Sequence, residues 1–253
     1  MVISASDPVM VELFSGLRPR TFARLITGLR REGVDRPLRG RPWGLCFEDR
    51  VLLVATYWRT NLTMRQLAAV FGVSKSAAAR MIEDLGPALA LRPRARFPRG
   101  AVLIVDGTLV PTRDHTVAAP SKNYRYSTNH QVVIDADTEL VVALGKPLPG
   151  NRNDCRAWTE SGAAHLCRNA MAIADGGYQG SGLIIPHRRA PGVDLPQWKQ
   201  AHNKSHRKVR ARVEHAFARM KTWKILRDCR LRGNGVGVAM AGVARLANLA
   251  HAA

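Results

Sequence analysis

Three acidic residues stand where they could do chemistry. Asp106 closes the apolar run AVLIVD (101–106) and precedes Gly107-Thr108, and Asp175 closes NAMAIAD (169–175) and precedes Gly176-Gly177-Tyr178. Continuous apolar runs mark strands buried on both faces, and in open α/β sheets functional groups gather at the carboxyl ends of strands. Two such strands side by side would bring the carboxylates together across 69 positions of sequence. A carboxylate behind a buried strand is costly without a partner, and Gly107, Gly176 and Gly177 clear space for one. Singly, each Asp reads equally well as a turn or cap residue. As a pair they suit a hard divalent cation, magnesium or manganese, which takes oxygen ligands and leaves positions open for phosphate. Two ions about 3.5–4 Å apart stabilise the attacking and leaving oxygens of phosphoryl transfer, and they need a bridging carboxylate with others beside it. Glu214, 39 positions beyond Asp175, is the best third acid.

Glu214 is the one acid in the stretch HNKSHRKVRARVEHAFARMKTWK (202–224). A helix from about Ser205 to Trp223 places Arg207, Arg210, Glu214 and Lys221 on one stripe and Val209, Val213, Ala216, Met220 and Trp223 on another. The apolar stripe is expected to dock on a sheet. The polar stripe then holds Glu214 toward a cation between residues that grip phosphate. A solvated helix with an incidental Glu explains this stretch alone, but not the two upstream aspartates. His202 and His206 stand four apart with no Glu after His202, so the zinc-protease pattern fails; both are expected at the surface or on phosphate.

Charge points to the partner. The 253 residues carry 39 Lys and Arg against 19 Asp and Glu, a formal net charge of +20 and a pI near 11.1. The cations run through the whole chain, which favours nucleic acid over other polyanions. An anionic membrane surface is the competitor, but there is no apolar run of about 18 residues and no signal-peptide pattern. Cys46, Cys155, Cys167 and Cys229 form no C-x-x-C pair, which excludes a zinc ribbon and leaves reduced thiols of a cytosolic protein. The Asn61-Leu62-Thr63 sequon is irrelevant there.

The scaffold divides by periodicity. Residues 9–32 carry apolar positions at helical spacing, split by Pro19, and a Gly/Pro/Arg-rich connection at 33–44 is a surface loop that could touch phosphate. A helix at 48–59, a second opened by Thr63 and stopped at Gly72, and a third opened by Ser74 over 75–89 make a helix-turn-helix at about 48–90. Its groove-facing candidates are Lys75, Ser76, Ala79 and Arg80. A Pro/Arg linker (91–100) then separates an all-α region, 1–95, from an α/β region with a mixed sheet, 100–253. In the latter, 131–137 and 139–146 read as an antiparallel pair turning at Asp137-Thr138, Asn153 and Asp154 cap a helix through Leu166, and 182–188 is a further short strand. Asp135, Asp137 and Glu139 are explained by the turn, and Trp158 by packing on the sheet rather than stacking on a flipped base. The final helix, about Val236 to His251, is expected to pack back on the sheet. Gly176-Gly177 lacks the Gly-Lys-Ser/Thr of a nucleotide P-loop.

The chain resembles the bacterial insertion-sequence transposases with a DDE triad, in the branch that shares an RNase H-like domain with the Harbinger-type eukaryotic transposases. The resemblance covers nearly the whole chain. It rests on Val105-Asp106-Gly107-Thr108 with Pro111; Asn129-x-Gln131-Val132-Val133 followed by Pro149-Gly150 and Asn153-Asp154; Ala174-Asp175-Gly176-Gly177-Tyr178; and Arg210, Glu214 and Lys221 at spacings of four and seven. The family often has Tyr where this chain has Arg207. The resemblance implies an RNase H-like catalytic domain, Asp106, Asp175 and Glu214 as catalytic metal-binding acids for two magnesium or manganese ions, and Arg210 and Lys221 as DNA-phosphate contacts. It implies cleavage at the element's ends to leave a 3′-OH that attacks target DNA, by an oligomer acting at the nucleoid in the bacterial cytoplasm. The alternatives are a regulator or domesticated transposase using only the helix-turn-helix, and another RNase H-like nuclease.

Overall fold

The computed structural model describes residues 3–36 and 42–252, so part of the basic 33–44 connection lies outside the described residues. The chain packs as two compact units, one of Met1–Leu91, Met220–Arg230 and Gly235–Ala253, the other of Arg92–Arg219 and Leu231–Asn234.

The first unit is helical: α1 (Pro8–Ser15), α2 (Pro19–Arg31), α3 (Phe47–Thr60), α4 (Met64–Phe71) and α5 (Lys75–Leu89). Pro19 occupies the first turn of α2, where its missing N–H costs nothing. The helix-turn-helix is α4–α5. Thr63 and Gln66 form a reciprocal capping box on α4, Gly72 ends it with φ 65°, and the Ser74 hydroxyl accepts from Ala77 N–H to start α5. Leu67, Ala68 and Ile82 are buried between the helices. The last helix of the chain, α10 (Gly235–His251), joins this unit and not the sheet as its composition suggested. Its small residues explain the choice: a Cβ at Gly242 would fall 2.1 Å from the Trp58 ring, so glycine lets α10 close on α3.

The second unit is a mixed sheet ordered β3-β2-β1-β5, with β4 also on β2. Its strands are β1 (Val102–Pro111), β2 (Ser127–Asp135), β3 (Val141–Leu144), β4 (Leu148–Pro149) and β5 (Met171–Ile173). β1 and β2 run antiparallel, β2 and β3 form the expected hairpin, and β5 lies parallel beside β1. Leu103, Val105, Val133, Trp158 and Tyr178 share one core, which settles Trp158 as a packing residue. Four details differ from the sequence reading. Asp106 lies in the middle of β1, because pairing with β2 continues to Pro111. The helix after Asn153 is two pieces, α6 (Asp154–Glu160) and α7 (Ala163–Leu166), broken at Gly162 with φ 79°. The strand expected at 182–188 contributes a single bridge, Ile173 to Ile184. The basic helix starts earlier and breaks at Ala211, giving α8 (Gln197–Arg210) and α9 (Arg212–Lys221).

The acids of the β2–β3 turn do more than close it. Asp135 accepts from the N–H groups of Asp137 and Thr138. Glu139 accepts from Arg219 of α9 at 3.1 Å, and Arg212 lies 3.7 Å from Asp137. The turn therefore anchors the helix that carries Glu214.

Candidate active site

Parallel pairing of β1 with β5 aligns Ile104 with Ile173, so Asp175, just past the end of β5, comes beside Asp106. Side chains alternate across a strand, and Asp106 points to the face where α8 and α9 arrive. The Arg210 guanidinium donates to its Oδ2 at 3.3 Å, and Gly107 N–H donates to Oδ1 at 2.8 Å. Burial lifts the Asp106 carboxyl to about 6; the Gly107 N–H and Arg210 pull down, while Asp175 and Glu214 push it further up. Glu214 itself is open to solvent.

The opposite face of β1 holds Asp154, an acid that the sequence reading assigned to capping a helix. The N-cap of α6 is Asn153, whose side chain accepts from Arg156 N–H, and this leaves Asp154 free to turn inward. A Cβ at Gly107 would sit 2.6 Å from Asp154 Oδ1, and one at Gly177 would sit 2.9 Å from Asp175 Oδ1 and 3.8 Å from Asp154 Oδ2. These glycines are required for the two acids to face each other. Burial raises the Asp154 carboxyl; the Asn129 amide opposes this, Asp175 adds to it, and the Gln131 amide opposes it again. Beneath them Tyr178 OH donates to Gln131 at 2.7 Å, and Gln131 donates to Asn129 at 3.1 Å. The loop after Asp175 is pinned by the Cys155 thiol, which donates to the carbonyls of Gly177 and Gln179 at 3.1 and 3.0 Å. The signal in the sequence was the Asn129-x-Gln131 pair, two amides on one strand face with no stated purpose.

The other residues singled out are placed as follows. Lys75, Ser76 and Arg80 are exposed on α5, with Arg80 also lying over the Trp43 ring at 5.5 Å. Arg207 is exposed on α8. Lys221 is exposed at the end of α9 and packs with the helical unit, as do Met220 and Trp223, which were expected on the sheet. Arg59 lies over the Trp223 ring at 5.3 Å. His206 is buried, not on the surface, with Nε2 3.2 Å from the Ile184 carbonyl oxygen; it ties α8 to the segment after β5. All four cysteines are free thiols.

Among the described residues, no three His, Cys, Asp or Glu side chains already stand as a metal cage. The donor set nevertheless fits a hard cation. All its acids supply oxygen, Gly107 and Gly177 leave room for the Asp154 and Asp175 carboxylates, and magnesium characteristically binds through one or two carboxylates together with substrate phosphate.

A mixed sheet with one acid on β1, a second just past β5 and a third on a basic helix follows a helix-turn-helix in the chain. Residues 98–249 match the family described as transposase DDE domain, and residues 43–95 match the helix-turn-helix of DDE superfamily endonuclease; the chain belongs to the DDE transposases. It is 69% identical over 250 residues, 98% of each chain, to the protein assigned as transposase of insertion sequence element IS112 in Streptomyces albus G. It is 25% identical over 231 residues, 84% of this chain and 83% of the other, to that assigned to element IS702 in Microchaete diplosiphon. The function is DNA transposition, and a regulator built on the helix-turn-helix alone leaves the DDE domain unexplained. None of the described helices is long and apolar enough to cross a membrane.

Proposed function

We propose that this transposase binds the ends of its own insertion sequence and cuts them with Asp106, Asp175 and Glu214 as the catalytic acids. The observation that carries this is the β1–β5 pairing, which sets Asp175 beside an Asp106 already met by Arg210. These three acids would hold magnesium or manganese, most simply two ions, which supply Lewis-acid stabilisation of the phosphoryl oxygens. Asp106 is the most enclosed of the three and fixes the centre; Glu214 closes it from α9. Asp154, across Gly177 from Asp175, is a fourth acid that sets the charge behind it. Arg210 holds Asp106 until DNA arrives and then turns to phosphate. Arg207 and Lys221 each contact DNA phosphate, and Lys75, Ser76 and Arg80 read the duplex. Division of labour follows the chain: 1–95 recognises DNA and 100–253 cuts it.

Water attacks the phosphorus at the element's end, the P–O3′ bond breaks, and the strand leaves as a 3′-OH. That hydroxyl then attacks a target phosphodiester and displaces its 3′-oxygen. Diester bonds are conserved in the second step, so no external energy source and no covalent protein intermediate is needed. Two ends must be held together, which calls for a homo-oligomer on DNA at the bacterial nucleoid. The test is cleavage and joining of the element's terminal DNA with magnesium. Asp106→Ala or Glu214→Gln should lower cutting at least about a thousandfold, against the 10⁶-fold or larger accelerations typical of enzymes; normal cutting by either sinks the assignment. Cutting without joining would make the protein a nuclease of the same fold.

A further inference from the structure

The connection between β1 and β2, residues 112–126, is much longer than the two to five residues that close a hairpin. It is ordered by its own contacts. Thr112 N–H donates to the Tyr126 carbonyl at 3.3 Å, Ala119 and Ser127 exchange backbone hydrogen bonds at 3.1 and 3.0 Å, and a turn at Ser121–Tyr124 closes at 2.9 Å. The His115 and Tyr126 rings stack at 3.7 Å and 14°. The segment's one acid, Asp114, is engaged by backbone and hydroxyl groups: it accepts from Thr116 N–H at 3.0 Å, Thr116 OH at 2.7 Å and Gly233 N–H at 2.7 Å. What faces solvent at the tip is Lys122, Asn123, Tyr124 and Arg125, with Tyr124 40% exposed. The segment leaves the sheet at the carboxyl end of β1. Because β5 is parallel to β1, Asp175 is level with Asp106, and the chain runs five residues, about 17 Å, further along β1 before this segment begins.

An exposed aromatic between two cations is more than a duplex backbone requires, since phosphate is held by cations and backbone N–H groups. It is the arrangement that grips a single strand, where bases stack on aromatic rings and cations follow the phosphates. We propose that residues 112–126 form a single-strand clamp further along β1 from the cutting site, with Tyr124 stacking on an unpaired base of the DNA end and Lys122 and Arg125 on its phosphates. The clamp takes DNA as partner from the family and does not depend on which acids cut.

The test uses full-length protein, free of divalent ions, and a forked oligonucleotide carrying 2-aminopurine in an unpaired 3′ overhang. Wild type and Tyr124→Trp should quench the fluorophore. Tyr124→Ala, shown folded by its melting curve, should not quench and should bind the fork about tenfold more weakly, while binding blunt duplex as wild type does. Lys122→Ala with Arg125→Ala should lower the slope of log affinity against log salt by about 1.4, at roughly 0.7 per lost contact on a single strand. Unchanged quenching and affinity in Tyr124→Ala overturn the clamp, and so does an equal loss on fork and blunt duplex. Asp106→Asn should quench normally, and should fail to cut when magnesium is then added to it and to a cutting wild-type control. If it cuts, the catalytic assignment falls while the Tyr124 result still decides the clamp.

Discussion

At the scale of single residues, Asp106 carries the clearest consequence. Its carboxyl ionises near 6 in the folded protein against 3.8 for a free side chain. Between about pH 4 and 6 the folded state therefore binds more protons than the unfolded one, and stability falls as pH rises through that window and stays low above it. Asp106→Asn removes the penalty. At pH 7.5 it should abolish cutting yet unfold later than wild type, by up to about 3 kcal/mol, and the gap should close as pH falls toward 4; urea titrations across pH measure this. Arg210 opposes the effect, so Arg210→Ala should raise the Asp106 carboxyl further and move the acid limb of the pH–rate profile to higher pH. Chemical type and neighbours picked out Asp106 and Asp175 in the sequence. Asp154 was hidden because a helix start offered it an ordinary capping role, and only the geometry gave that role to Asn153.

At the scale of elements, local rules predicted starts and stops well where a cap was present. Thr63, Gly72 and Ser74 delimit α4 and α5 as their chemistry dictates. Prediction failed where partners decide length. β1 runs past Asp106 because β2 pairs with it as far as Pro111, and the basic helix breaks at Ala211 although no Pro or Gly stands there. The β2–β3 turn fixes α9 through Glu139 and Arg219. Glu139→Gln should loosen that anchorage and slow cutting several-fold with DNA affinity unchanged, as single-turnover rates and filter binding would report. The α10 contact is stricter. Gly242→Leu drives a side chain into the Trp58 ring and should cost about 3 kcal/mol, lowering the melting temperature and DNA binding together.

At the scale of the whole molecule, the net charge of +20 makes DNA affinity electrostatic, so it should fall steeply and linearly in a log–log salt plot; a flat plot would contradict this. The helical unit is not made by the amino-terminal residues alone, because residues 220–230 and 235–253 complete it. A fragment of residues 1–95 should therefore lack a cooperative thermal transition, and adding a peptide of residues 220–253 should restore one, as circular dichroism would detect. The sequence by itself determined the class of the protein, its DNA partner and the helix-turn-helix, since charge, caps and apolar runs act over a few residues. Tertiary structure alone decided that Asp175 lies beside Asp106, that Asp154 faces it, and that α10 joins the helices. Those outcomes depend on which strands pair and on whether a glycine leaves room for its neighbour, and both are contacts between residues far apart in the chain.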